Sequence, residues 1–257
     1  MTILLEYDNI TPDPNVASAP YLVFIHGAGE DKTQWNYQIP FFLQIGWGIL
    51  ALSLPGHGGS PDISSTSILE YAKIVYEIIT SLNLRNVTLV GRSMGGAVSM
   101  QIILSYKAFC IKRAVLIATG AKLRVAPLFF DLISEDFENY RRVSVEYMFD
   151  KDATPEIKER YDKELERNGK EILVKDFKAC DQFDVLLKLQ QIQIPSLIIC
   201  GENDKMTPLK YSRYLRENLG GKSRLEIISN AGHYVHQSAF KVVNQLIYEF
   251  HHENVNS

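Results

Sequence analysis

Cysteine is scarce: Cys110, Cys180 and Cys200 are the only three in 257 residues. An odd number without C-x-x-C spacing gives neither a disulfide framework nor a zinc site, and it suits a reducing compartment. Cys200 ends the apolar run Ser196–Cys200, where a small buried thiol is expected. A dominant charge is also missing. Lys and Arg total 27 against 30 Asp and Glu, a net charge of −3. No basic field is present to attract a polyanion, so nucleic acid is not an expected partner. No stretch approaches the roughly 20 apolar residues needed to cross a bilayer. The start, Met1 to Asp8, lacks the basic cluster and long apolar stretch of a signal peptide, so a soluble, cytoplasmic protein with no membrane span is expected. No repeat, low-complexity segment, metal-ligand spacing, P-loop or dinucleotide fingerprint appears, and neither cofactor nor metal is expected. The glycines of Gly56-His57-Gly58-Gly59-Ser60 precede no phosphate-binding helix and read as a loop.

Hydrophobic residues make up 46% of the chain, enough for a sizeable core in one domain with a modest insertion. Short β-branched runs that end at turn residues read as buried strands: Tyr21–Ile25, Gly48–Leu52, Val87–Val90, Ala114–Ile117, Ser196–Cys200 and Leu225–Ile228. Amphipathic stretches lie between them. From Ser67 to Leu82, apolar residues recur at Ile68, Leu69, Ala72, Val75, Ile78, Ile79 and Leu82, at helical spacing. Alternating strands and helices predict an α/β architecture, a mostly parallel sheet with helices on both faces. One connection is too long. About 75 residues separate Thr119 from Pro195, whereas a crossover needs about a dozen. The surplus carries helix signals, including a capping Thr154 before Pro155 and the mixed acidic and apolar stretch Asp131–Phe149. Residues 121–187 are therefore expected to form a helical cap insertion, with 1–120 and 188–257 as the core.

The sharpest local signal is Gly91-Arg92-Ser93-Met94-Gly95, placed between the strand Val87–Val90 and a helix over Ala97–Tyr106. A tight strand-to-helix turn holds its serine in a strained conformation, and glycines two residues to either side let neighbouring chains approach. The hydroxyl then stands over a helix N-terminus, whose free N–H groups and dipole favour developing negative charge.

With this turn in place, the chain resembles the α/β-hydrolase superfamily from about Tyr21 to Phe250. The resemblance rests on four motifs in order: Phe24-Ile25-His26-Gly27-Ala28-Gly29, Leu54-Pro55-Gly56-His57-Gly58-Gly59-Ser60, Gly91-Arg92-Ser93-Met94-Gly95-Gly96, and Gly201-Glu202-Asn203-Asp204 with Ala231-Gly232-His233. It implies a serine hydrolase with Ser93 as nucleophile, His233 as base and Asp204 as the acid that orients the histidine. Each lies just past a strand, at the edge where open parallel sheets bind ligands. Glu202 and His236 are alternatives to Asp204 and His233; the Gly-x-x-Asp and Ala-Gly-His patterns favour the latter pair. The family places His26 and His57 in structural roles, and His251 and His252 read as a solvated tail. The oxyanion donors implied are the backbone N–H groups of Met94 and Ala28.

Two departures from the family stand out. Ser53 occupies a position that is usually aspartate, and Gln237 one that is often glutamate. The short N-terminal segment implies that the leading strands of the family sheet are shortened or that one is missing. Serine at position 93 excludes the aspartate-nucleophile relatives. The implied substrate is a small-molecule carboxylic ester. An enzymatic alternative is carbon–carbon cleavage of vinylogous diketones, for which Arg124, Arg141 and Arg142 offer basic groups from the insertion. Arg141 and Arg142 are expected to pair instead along their helix with Glu138 and Glu146, and Arg92 replaces the asparagine expected in such relatives. A non-catalytic receptor is the third reading, disfavoured because all three triad roles are filled. The aromatics Phe129, Phe130, Phe137, Tyr140, Tyr147 and Phe149 are candidates for an acyl pocket, with a small hydrophobic core as the plainer use.

Overall fold

The computed structural model describes residues 5–16, 19–63, 67–106, 109–151 and 153–253; residues 1–4, on which part of the leader reading rests, lie outside them. The strands are β1 (Tyr7–Ile10), β2 (Tyr21–Ile25), β3 (Gly48–Leu52), β4 (Val87–Arg92), β5 (Ile111–Ile117), β6 (Ser196–Gly201) and β7 (Ser223–Ile228). They form one seven-stranded sheet in the order β1-β3-β2-β4-β5-β6-β7. Only β1 runs antiparallel, against β3; every other pairing is parallel. Among the described residues a single four-residue strand thus precedes β2. The sheet with its covering helices is an α/β-hydrolase fold.

The helices before the long connection are α1 (Gln38–Gln44), α2 (Ile68–Ser81) and α3 (Met94–Ser105). Within the connection from β5 to β6 lie α4 (Pro127–Glu135), α5 (Phe137–Met148) and α6 (Pro155–Gln182), and after it come α7 (Leu209–Asn218), α8 (Val235–Ser238) and α9 (Phe240–His252). Both faces of the central sheet are covered, so β2, β3, β4 and β6 are buried along their whole length and alternate residues enter different cores. In β2, Val23 and Ile25 join one core with α2, α3 and the β5–β6 insertion. Leu22 and Phe24 join the other, with Trp35, Phe42, Trp47 and residues of α9.

Helix boundaries follow local chemistry. Ser67 caps α2 by accepting from the Glu70 N–H, and Thr154 caps α6 by accepting from Ile157, with Pro155 in the first turn. The stretch Asp131–Phe149 is two helices, because Asp136 ends α4 and its side chain caps α5 through the Asn139 N–H. Within α6, Gly169 has φ 81° and ψ 167°, a combination essentially reserved for glycine, and it divides the helix into two segments.

The insertion aromatics pack on one another. Phe129 meets Tyr140 and Tyr147 edge-on, and both Phe129 and Phe130 contact Phe177 of α6. Arg141 does not pair along its own helix. It forks across to Asp162 and reaches Glu166, both on α6, because an interhelical carboxylate matches its planar donors bidentately. Arg142 bonds Asn139. His251 and His252 are not a free tail: they form the last turn of α9, against Trp47.

Glu164 anchors α6 to the core. It is 1% exposed and accepts from Thr33 Oγ1 and Tyr234 Oη, each at 3.2 Å. Burial, with the nearby Glu30 and Asp31 charges, pushes its pKa up to about 8 from an ordinary 4.5. The folded chain therefore holds this proton where the unfolded chain has released it. The stabilisation is fully present below the unfolded pKa and is lost as pH rises through the folded value, by up to about 1.4 kcal/mol per pH unit. Glu164→Gln keeps the shape without the ionisation. Between about pH 5 and about pH 9 its melting temperature should fall less than that of wild type; parallel curves would show that Glu164 titrates normally.

Candidate active site

The turn at Ser93 is built by close packing. Ser93 adopts φ 52° and ψ −117°, costing on the order of 1–3 kcal/mol that the surroundings must offset. Its N–H donates to Ile117 O at 2.9 Å, and its carbonyl accepts from Thr119 Oγ1 at 2.7 Å. A Cβ on Gly91 would lie 2.2 Å from Gly95 O, and one on Gly95 would lie 2.1 Å from Ile25 O. Both flanking glycines are therefore steric requirements. Met94 opens α3, so its N–H has no carbonyl one turn earlier to bond.

Asp204 lies past β6 and His233 past β7, at the same edge of the sheet as Ser93. The Asp204 carboxylate is gripped by four donors. Oδ1 accepts from the N–H groups of Met206 and Thr207, and Oδ2 accepts from Thr207 Oγ1 and His233 Nδ1, all at 2.8 Å. Burial alone would raise its pKa, but the His233 charge and these hydrogen bonds outweigh burial and lower it. With Nδ1–H donated to Asp204, the tautomer leaves His233 Nε2 as the basic nitrogen. Thr207 completes the Asp204 cradle, and α7 begins two residues later at Leu209.

Glu202 is exposed, and its carboxylate accepts from the Asn230 N–H at 3.4 Å. His236 is fully buried between Trp35 and Tyr234, and neither ring nitrogen has a partner among the described residues. Burial, with Arg92 and His233 nearby, drives its pKa well below 6.5, making it a neutral core ring.

Ala28 follows β2, and its loop is held at successive residues. Arg92, beside Ser93, forms a fully buried ion pair with Glu30, bonds Gln34 Oε1 at 3.1 Å and lies over the Tyr234 ring. Arg167 of α6 pairs with Asp31. The two loop histidines reveal their protonation through their partners. His26 Nε2 accepts from the Leu54 N–H at 2.9 Å while Nδ1 faces Gly27 O at 2.8 Å, so the ring is neutral with its proton on Nδ1. Burial, with His57 close by, holds its pKa down at about 3. His57 faces acceptors on both sides, Pro55 O at 3.0 Å and Asp176 Oδ2 at 2.8 Å, so it carries two protons. Burial opposes that charge, but Asp176 overcomes burial and the pKa is raised.

Beside Ser93 lies a cavity of about 50 Å³, lined in part by Ala28, Arg124, Phe177, Met206 and Tyr211. It is far smaller than the roughly 300–1,000 Å³ of a drug-sized site. Arg124 and Tyr211 also line an adjoining hollow of about 340 Å³. The ring lining beside Ser93 thus comes from Phe177 and Tyr211, not from the six aromatics singled out in the sequence. Asp176 and Glu164 were missed too. A signal for Asp176 existed: it interrupts the apolar stripe Leu173, Phe177, Cys180 on one face of a helix.

A mostly parallel sheet with a strained serine at a strand-to-helix turn defines the α/β-hydrolase class. The chain belongs to the alpha/beta hydrolase family, which it matches over residues 22–246. It is 28% identical to a 2-hydroxy-6-oxononadienedioate/2-hydroxy-6-oxononatrienedioate hydrolase of Escherichia coli O139:H28, over 89% of this chain and 86% of that one. Among solved structures it is similar to a thermophilic esterase, at TM-score 0.80 and 28% identity over 96% of this chain and 97% of the other. It shares its fold with an esterase of Exiguobacterium antarcticum, at TM-score 0.88 and 20% identity, covering 98% and 96% of the two chains.

The histidine protonation pattern is directly measurable. Nitrogen-15 NMR at neutral pH should show both ring nitrogens of His57 protonated and only Nδ1 of His26. As pH rises through the raised His57 pKa, the stabilisation from its pair with Asp176 should be lost. A single ring proton on His57 at neutral pH would instead place the shared proton on Asp176.

Proposed function

We propose that this protein is a serine hydrolase that cleaves small carboxylic esters through an acyl-enzyme on Ser93. The observation that carries the reading is the His233–Asp204 pair, oriented with Nε2 left basic, at the sheet edge that also bears the strained Ser93. Ser93 Oγ attacks the ester carbonyl while His233 Nε2 takes its proton, and Asp204 stabilises the resulting imidazolium. The oxyanion receives the N–H groups of Met94 and Ala28. Collapse expels the alcohol, which takes the proton from His233. Water then repeats the sequence and releases the acid, restoring Ser93.

Carbon–carbon cleavage is the second reading, favoured by the named activity of the Escherichia coli relative and by Arg124 on the wall of the Ser93 cavity. That chemistry asks for more, because a carbanion equivalent leaves and the dienol must first be converted to its keto form. Arg124 itself lies 3.7 Å from Asp181, and Arg92 and Arg141 are paired with Glu30 and Asp162. Ester hydrolysis demands less of the site and is the better-supported function.

With one preparation, short-chain aryl esters should be hydrolysed with a higher kcat/KM than a 2-hydroxy-6-oxo-dienoate. Ser93→Ala and His233→Ala should each lose several orders of magnitude in turnover, since the groups act as a unit. His236→Phe should retain turnover of the wild-type order. Wild-type rates in Ser93→Ala would remove the nucleophile, whereas a dominant dienoate activity would replace the substrate and leave the triad standing.

A further inference from the structure

Asp176 lies on α6, in the insertion, yet its carboxylate is completely buried against the core. Oδ2 accepts from the Gly29 N–H and faces His57 Nε2, both at 2.8 Å, while Oδ1 accepts from Tyr71 Oη at 2.7 Å. The other half of Gly29 is held from the same helix. Asn168 Nδ2 donates to Gly29 O at 3.1 Å, and Asn168 Oδ1 accepts from the Gly58 N–H at 2.8 Å. Gly29 has φ +71°, and a Cβ there would lie 2.7 Å from Leu165 and 2.8 Å from Leu173, both on α6. The residue next to Ala28 is therefore gripped on its N–H, its carbonyl and its α-carbon side by the two segments of α6 that meet at Gly169.

We propose that Asp176, assisted by Asn168, is a positioning residue that sets the Ala28 N–H in the oxyanion hole and so makes the insertion helix α6 a working part of catalysis. This rests on the acyl-enzyme reading above. The N–H of Gly29 needs an acceptor in a buried site, and the unit charge on Asp176 is balanced by doubly protonated His57. The charge pair fixes the acceptor, the acceptor fixes Gly29, and the Gly29 backbone restricts the orientation of the preceding peptide group. One Gly29 contact comes from each side of the Gly169 break, so the hole is complete only with both segments of α6 seated. Arg92 and Glu30 hold the loop from the Ser93 side, so the loop retains one anchor when α6 moves.

The test uses the full chain and two readouts, aryl-ester kinetics and the rate of fluorophosphonate labelling at Ser93. Asp176→Ala should lower kcat and the labelling rate by about 10- to 100-fold, with KM little changed, because a misaligned donor weakens the transition state more than ground-state binding. Asp176→Asn, which keeps an acceptor for Gly29 but loses the charge, should recover part of that loss. Tyr71→Phe removes a bond to the same carboxylate without touching the loop and should leave kcat at the wild-type order. Asn168→Ala, at a partly exposed position, should lower kcat several-fold and serves if Asp176→Ala does not fold. Wild-type kcat and labelling in a folded Asp176→Ala, or in Asn168→Ala where it is the variant that folds, would overturn the positioning role and leave the esterase reading intact. Equal losses in Asp176→Ala and Tyr71→Phe would reduce Asp176 to a structural anchor. Absence of both labelling and turnover in wild type would instead remove the acyl-enzyme reading, and this role with it.

Discussion

The approach of α3 to the end of β2 is the constraint on which the site depends. Gly95 sits so close to the Ile25 carbonyl that no side chain fits between them. That contact brings the first turn of α3 beside the loop carrying Ala28, and it requires the chain to reverse sharply at Ser93. The reversal places Ser93 at positive φ, and the strain is met by hydrogen bonds to Ile117 and Thr119 at the end of β5. The placement of both glycines and the sharp turn at Ser93 follow from one packing requirement.

Around this turn the protein buries many ionisable groups. Glu30, Arg92, Glu164, Asp176, Asp204, His57 and His233 are all essentially inaccessible. Such groups are costly to bury and seldom add net stability over an apolar core. Their distribution suggests why they are tolerated. Arg92–Glu30 joins the serine turn to the Ala28 loop, His57–Asp176 joins that loop to α6, and Asp204–His233 joins the ends of β6 and β7. Each pair crosses between elements distant in sequence and fixes orientation in a way that non-directional apolar packing does not.

The small cavity beside Ser93 is walled by Ala28, by Leu123, Arg124 and Phe177 of the β5–β6 connection and by Met206 and Tyr211 beyond β6, which leaves little free volume over the serine. A substrate larger than a few atoms must extend toward the neighbouring hollow bounded by Arg124 and Tyr211, or displace part of the β5–β6 insertion.

The sequence by itself determined every strand but β1, the helix signals, the mostly parallel sheet and the residues that become neighbours along the chain, because these rest on local periodicity and turn chemistry. The Ser93 turn was legible for the same reason, as were the strand ends that carry Asp204 and His233. Only the tertiary structure decided which charged groups meet across the fold. Arg141 reaches Asp162 and Glu166 on α6 instead of its own helical neighbours, and Arg92 is buried against Glu30. His251 and His252 pack on Trp47, and Phe177 and Tyr211 line the cavity while the insertion aromatics take the plainer role of a small core. Asp176 finds Gly29, which is 147 positions away in the chain. Local patterns show which face of a helix is buried, but the partner of a buried charge is set by how helices and loops dock, and that information is spread over the whole sequence.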